Sequence, residues 1–215
     1  MKVDRTYSIH STINETTDGP NSPIQALSKE DFMQLEGHHF FVITGGPGSG
    51  KSTLLDYLER QGFMRSVEAG RSIIQEQTMI GGAALPWKDR ILFAELMLSW
   101  EMRSYQQELK QGNTAPVLFD RGVPDVIGYL RLEGLDVPVH IQRAGELFRY
   151  NKRVFIAPPW PDIYRQDAER KQDLKTALRT FDTMAAVYTE LGYELVELPR
   201  CSIEDRAEYI RSSIR

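Results

Sequence analysis

From Phe40 onward, short apolar runs alternate with segments of helical period, the pattern of a sheet whose strands are joined through helices. Phe40-Phe41-Val42-Ile43-Thr44 is apolar on both alternate sets of positions, which predicts a central strand buried on both faces. Lys51 to Gln61 carries Leu54, Leu55, Tyr57 and Leu58 on one side and predicts a helix closed by Gly62. Phe63 to Glu68 is a second strand candidate. Ile91, Leu92, Leu96, Leu98 and Met102 give a long helix over 86–111, stopped by Gly112-Asn113. Pro116 to Asp120 reads as the third strand, followed by helices near 123–133 and 139–150, and Arg153 to Ala157 as the fourth, ahead of Pro158-Pro159. A helix over 168–192, a strand over Tyr193 to Leu198 and a last helix from Ser202, whose Ser-Ile-Glu-Asp start has capping chemistry, complete an α/β fold with five parallel strands.

The stretch before Phe40 lacks this pattern. It is rich in Ser, Thr, Asn, Asp and Pro, with Asp18-Gly19-Pro20-Asn21-Ser22-Pro23 as turn punctuation, so residues 1–37 are expected to form a polar extension ahead of one domain at 38–215. The whole chain of 215 residues is 41% hydrophobic and 26% charged, enough for one core. Its formal charge of −4 provides no global field for holding nucleic acid. The single cysteine, Cys201, closes no disulfide within the chain, no charged-then-apolar leader follows Met1, and no apolar run approaches a bilayer's width. These features predict a cytoplasmic protein with no membrane contact.

The chemistry is concentrated in Gly45-Gly46-Pro47-Gly48-Ser49-Gly50-Lys51-Ser52-Thr53, which matches the phosphate-loop pattern G-x-x-x-x-G-K-[ST] with a strand before it and a helix after. That context lets peptide N–H groups surround phosphate oxygens at a positive helix N-terminus. Lys51 is expected to reach the β- and γ-phosphates and the Ser52 hydroxyl to ligate Mg²⁺. Asp120, at the carboxyl end of the third strand, is the candidate second anchor for the metal; a turn or cap is its structural alternative. Glu68 ends the second strand three residues before Arg71, so the two can lean over one cleft or form a solvent-exposed ion pair. Either Glu68 or Asp120 has the chemistry of a general base for an acceptor hydroxyl. Arg165 and Arg170 follow the fourth strand and are candidates to close over the transferring phosphoryl group. Arg121 and Asp125 are candidates to face the acceptor, with a structural ion pair as the alternative. His38 and His39 have no metal-ligand spacing around them, Trp87, Trp100, Met97 and Met102 are expected in the core, and Cys201 has no partner that would make it a nucleophile.

Gly45 to Thr53, Glu68-Ala69-Gly70-Arg71, Phe119-Asp120-Arg121-Gly122 with Asp125 and Tyr129, the Arg165 to Arg170 segment, and Tyr188-x-x-Leu191-Gly192-Tyr193 leading into Leu198-Pro199 form an ordered set. Over about Phe40 to Arg215, the chain resembles the kinase-like branch of predicted AAA-domain ATPases, the group similar to the ribosylnicotinamide kinase domain of the bifunctional nicotinamide regulator. The resemblance implies a three-layer P-loop fold with strand order 2-3-1-4-5 and a helical lid after the fourth strand. Despite the AAA name, the sequence shows no second-region helical lid domain or ring-forming signature, so a hexameric motor is not expected. The Asp120-Arg121 pair is similar to the Asp-Arg pair of deoxynucleoside kinases, where the acid lies near magnesium and the arginine near the acceptor; Gly122 stands where that motif commonly has serine.

The expected function is a small-molecule kinase using ATP and Mg²⁺, with GTP a possible donor, acting on a hydroxyl or phosphate acceptor. The second expectation is a nucleotide-controlled binding protein that docks a protein partner through residues 1–37. A nucleic-acid-processing ATPase is disfavoured by the charge balance.

Overall fold

The computed structural model describes residues 37–112, 114–161 and 174–214. The expected extension, apart from Gly37, and the expected lid with Arg165 and Arg170 therefore lie outside the described residues.

The chain runs β1 (Phe40–Gly45), α1 (Lys51–Arg60), β2 (Met64–Arg65), α2 (Ala69–Ile80), α3 (Arg90–Gln111), β3 (Val117–Asp120), α4 (Val123–Leu132), α5 (Val139–Leu147), β4 (Arg153–Ala157), α6 (Leu174–Glu190), β5 (Glu194–Glu197) and α7 (Ile203–Ile214). All strand pairs are parallel and the order is β2-β3-β1-β4-β5, as the resemblance implies. Central β1 pairs Ile43 with Asp120 on one side and Phe155 on the other, which brings the strand ends that carry the site together.

Alternation along the strands divides the core. Phe40, Val42, Val117 and Phe119 face Leu98 and Tyr105 of α3, Val126 and Leu130 of α4 and Tyr188 of α6. Phe41, Ile43, Leu118 and Phe155 face Leu54, Leu55 and Leu58 of α1 and Ala207 and Ile210 of α7. A helical layer thus covers each face of the sheet, and β1 is buried at every position. No helix among the described residues is long and apolar enough to cross a membrane.

Several expected bounds shift. The second strand is only Met64–Arg65: Ser66 still donates its N–H to the Leu118 carbonyl at 2.9 Å, and Val67 and Glu68 then leave the sheet to enter α2, a helix that the hydrophobic pattern alone did not define. The long third helix starts at Arg90 rather than Pro86, since Asp89 is its N-cap and accepts from the Leu92 N–H at 2.9 Å. Trp87 consequently lies in the preceding turn, 63% exposed, and is not part of the core. The capping expected at Ser202 is present: its Oγ accepts from the Asp205 N–H at 3.1 Å and donates to the Asp205 carboxylate at 2.8 Å.

Candidate active site

The loop between β1 and α1 is shaped by contacts that only glycine permits at its first position. Gly45 has φ +130°, and a Cβ there would lie 2.4 Å from the Ala157 carbonyl oxygen of β4. Within the loop, Ser49 Oγ donates to the Gly46 carbonyl at 2.8 Å, and Lys51 Nζ donates to the carbonyls of Gly45 and Gly46 at 2.8 and 2.9 Å. Lys51 is buried. Burial first, and the nearby Arg121 guanidinium second, lower its pKa to about 7, against the opposing pull of Asp120, Glu68 and Asp125. Ser52 and Thr53 occupy the first turn of α1, Ser52 half-buried and Thr53 exposed.

Facing this loop, the ends of β2 and β3 bring Glu68, Asp120, Arg121 and Asp125 together. Asp120 is 5% exposed; its peptide N–H donates to Ser66 Oγ at 3.1 Å, whereas its buried Oδ1 has no hydrogen-bond partner among the described residues. Burial raises the Asp120 pKa more than Arg121 and Lys51 lower it. Glu68 has the opposite balance: burial pushes it up, but Arg121, Lys51 and Arg71 hold its carboxyl below the usual range. Its Oε1 lies 3.5 Å from Arg121 Nε and its Oε2 3.8 Å from Arg71 Nη2. Arg71 is half-exposed, so this second pair is weak.

Arg121 is held in the left-handed region, φ 74°, where a non-glycine residue is strained by about 1–2 kcal/mol. Asp125 stabilises that conformation. Its Oδ1 accepts from Thr44 Oγ1 at 2.6 Å and from Arg121 Nη1 at 3.1 Å, and its Oδ2 from Tyr188 OH at 2.6 Å and the Gly122 N–H at 3.1 Å. Asp125, expected to face the acceptor, thus has both oxygens occupied by protein donors. The ion pair weighed as its alternative is present, within a buried network joining β1, α4 and α6.

Gly122 has an ordinary extended backbone, so the reason for glycine is spatial: a Cβ would lie 2.9–3.0 Å from the Tyr150 ring, whose hydroxyl accepts from the Val123 N–H at 3.2 Å. Tyr150 fills the space a serine would need. Gly122→Ser is therefore expected to destabilise the fold by about 1–3 kcal/mol through overpacking. Gly122→Ser should cost less in a Tyr150→Leu background than in the wild type, a coupling read from the double-mutant cycle; equal melting temperatures for wild type and Gly122→Ser would refute the account.

The sequence reading missed two buried charged residues near the site. Glu101 occupies the apolar stripe of α3 with Ala94, Leu98 and Tyr105 and is 3% exposed; burial, then Asp125 and Asp120, raise its pKa well above the usual carboxyl value. Arg206 occupies the stripe of α7 with Ala207 and Ile210, also 3% exposed, and donates to the Ser49 carbonyl of the loop. In both cases the available signal was a charge at an apolar phase of a helix. Of the other residues considered, Trp100 donates to the Val67 carbonyl at 3.2 Å and Met97 and Met102 pack against the core, as expected.

A family model described as an AAA domain matches residues 40–206, from the start of β1 into α7. The chain belongs to this AAA-domain family. No curated protein matches it. Among solved structures, the AAA-domain chain is similar to deoxyadenosine kinase from M. mycoides, with TM-score 0.58, 13% identity, and coverage of 81% of this chain and 98% of that one. It is also similar to thymidylate kinase from Ehrlichia chaffeensis, with TM-score 0.56, 15% identity and coverage of 82% and 98%. At these identities the likeness is one of fold, and it agrees with the observed strand order.

The donor set of this AAA-domain site fits a hard divalent cation. Asp120 presents a buried carboxylate oxygen with no hydrogen-bond partner among the described residues and Ser52 a hydroxyl, both oxygen donors of the kind Mg²⁺ takes alongside phosphate oxygens. Among the described residues no cluster of three or more His, Cys, Asp or Glu is arranged to hold a metal by itself.

Proposed function

We propose that this protein is a small-molecule kinase that transfers the γ-phosphoryl group of ATP to an acceptor hydroxyl or phosphate. The supporting observation is the buried Asp120 Oδ1 at the end of β3, without a hydrogen-bond partner among the described residues, beside a phosphate-type loop and close enough to Lys51 for each to shift the other's ionisation. In this reading the loop N–H groups and Lys51 hold the triphosphate, while Ser52 and Asp120 hold Mg²⁺. The metal supplies neutralisation of charge on the phosphate oxygens. GTP remains an alternative donor to be compared directly.

Glu68 takes the acceptor proton. Its lowered pKa keeps it in the basic form throughout the neutral range, and phosphoryl transfer through a loose transition state does not require a strong base. With a hydroxyl acceptor, as the acceptor oxygen–phosphorus bond forms and the β–γ bridge breaks, ADP leaves with the bridging oxygen and Glu68 holds the proton; a phosphate acceptor attacks as an oxyanion and gives up no proton. Arg121, fixed by Asp125 and Glu68, faces the acceptor together with Arg71. Arg165 and Arg170 would add positive charge over the transferring group. The resemblance to the ribosylnicotinamide kinase group and the likeness to deoxyadenosine and thymidylate kinases make nucleosides and nucleotides the first acceptors to test.

The test is incubation with γ-labelled ATP, Mg²⁺ and a panel of nucleosides, nucleotides and other alcohols, with Lys51→Met as the blank. A labelled small molecule formed only by the wild type supports the reading. Release of label solely as inorganic phosphate favours a nucleotide-controlled binding protein. Within an active system, Glu68→Gln is expected to lower kcat about 10²–10⁴-fold with little change in Mg²⁺ dependence. Asp120→Asn should instead shift the Mg²⁺ requirement upward. An unchanged Mg²⁺ dependence in Asp120→Asn would remove Asp120 from the metal.

A further inference from the structure

Arg206 has a placement that packing does not explain. It is buried on α7, and its Nη1 donates to the Ser49 carbonyl at 3.2 Å, across 157 positions of chain. Among the described residues its buried Nε has no acceptor. The guanidinium carbon lies 5.7 Å from the centre of the Trp160 ring, just beyond β4. No carboxylate pairs with it among the described residues, and burial lowers its pKa from the ordinary arginine value. A buried charge without a counter-charge is unfavourable, and an apolar side chain of similar volume would serve packing better.

The geometry of the loop gives Arg206 a use. In a trans peptide the C=O and the following N–H point in opposite directions. A donor that holds the Ser49 carbonyl from the α7 side therefore turns the Gly50 N–H the other way, into the loop. Gly50 is also the N-cap of α1, so the same hydrogen bond fixes the start of that helix. Ser49 Oγ secures the other end of this short segment through the Gly46 carbonyl. The face of Trp160 lies against the guanidinium and limits solvent screening of its charge.

We propose that Arg206 is a positioning residue of the donor-nucleotide site, aiming the phosphate loop through the Ser49 carbonyl and contributing a buried positive charge, paired with no carboxylate among the described residues, that favours bound polyphosphate. This rests on the reading of residues 45–53 as a nucleotide phosphate loop. Arg206 contacts the loop and not the reacting atoms, so its effect is on binding of the donor more than on turnover of the bound complex.

The test uses the full chain, with MgATP and inorganic tripolyphosphate as probes, and compares wild type, Arg206→Met, Arg206→Lys and Lys51→Met by titration calorimetry and by melting without nucleotide. Arg206→Met is expected to bind both probes about tenfold more weakly, while its nucleotide-free form melts at or above the wild-type temperature because the cost of burying the guanidinium charge outweighs its one hydrogen bond to the loop. Arg206→Lys keeps the charge but not the fork and should lie between the two. Where activity is measurable, the loss should appear in KM for ATP with kcat nearly unchanged. Wild-type affinity in Arg206→Met, or a lowered nucleotide-free melting temperature with normal affinity in the folded fraction, overturns the proposal in favour of a purely structural arginine. If Arg206→Met does not fold, Arg206→Lys decides: unaltered affinity there also overturns it. Failure of the wild type to bind either probe, or equal binding by Lys51→Met, refutes the phosphate-loop reading itself.

Discussion

Lys51→Met is expected to lower kcat/KM for MgATP by two to three orders of magnitude, about 3–4 kcal/mol of lost charge stabilisation where the transferring group carries its negative charge. The physical basis is the state of the ammonium before nucleotide arrives. Burial and Arg121 together bring its pKa from 10.5 to about 7, so at neutral pH the group is balanced between charged and neutral forms. A triphosphate beside it favours the charged form, and binding above pH 7 must therefore take up a proton. Affinity for MgATP should fall about tenfold for each pH unit above pH 7, until the pKa of the complex is reached. Titration calorimetry at pH 8.5 in buffers of different ionisation enthalpy measures that uptake directly; a binding enthalpy independent of buffer would contradict it.

The same shift sets a dependence of stability on pH. The unfolded chain holds the Lys51 proton up to its ordinary pKa of 10.5, whereas the folded chain releases it near 7. Between these values the unfolded state binds more protons, so the Lys51 contribution to stability rises with pH. Its cost is present in full below pH 7 and is relieved towards pH 10.5. Lys51→Met should melt above wild type at pH 6, with the margin shrinking as pH is raised. A function-bearing residue that destabilises its own fold in this way is the expected trade-off at a preorganised site.

What could be read from the sequence is what the chain encodes locally. The phosphate loop is contiguous, and the strand and helix around it carry their own periodicities, so Gly45 to Thr53 could be placed without knowing the fold. β1, β3 and most of β4 are buried on both faces and appear as unbroken apolar runs. β2 is a two-residue, partly exposed edge strand and has no such run. α2 was not defined for a related reason: it exposes Met79 and Ile80 while burying Ala69 and Ile73, so its apolar face is indistinct. The roles of Asp125 and Arg206 depend on partners distant in sequence. Tyr188 lies 63 positions from Asp125 and Thr44 lies 81, while Ser49 lies 157 from Arg206. Spacing could identify Asp125 as a neighbour of Arg121; only the packed fold shows that its other oxygen is held by Tyr188 and Gly122.

That network makes Asp125 the residue whose loss should damage the fold most. Asp125→Ala leaves Thr44 Oγ1, Tyr188 OH and the Gly122 N–H without their acceptor and removes the counter-charge closest to the partly buried Arg121. Truncating one side of a buried ion pair costs about 3–5 kcal/mol. The orphaned neutral donors add to this but not independently, because they share one carboxylate. A loss on the order of 4 kcal/mol corresponds to a fall in melting temperature of roughly 10–15 °C in a domain of this size, a large part of its net stability. Asp125→Asn separates support of the fold from support of the site. Its amide oxygen can still accept from Thr44, and Tyr188 can rotate its hydroxyl to accept from the amide nitrogen, so only the Gly122 N–H loses its acceptor and the fold should survive with a smaller loss. The charge that holds Arg121 at φ 74° is nevertheless gone, leaving the strained backbone with Glu68 as its remaining charged partner. The expected signature is a folded Asp125→Asn protein whose KM for the acceptor rises while its affinity for MgATP stays close to wild type, because Arg121 faces the acceptor and Lys51 retains its loop contacts. If MgATP affinity fell as far as acceptor affinity, Asp125 would be acting on the phosphate loop through Thr44 and β1; if neither changed, the charge on Asp125 would have no part in positioning Arg121.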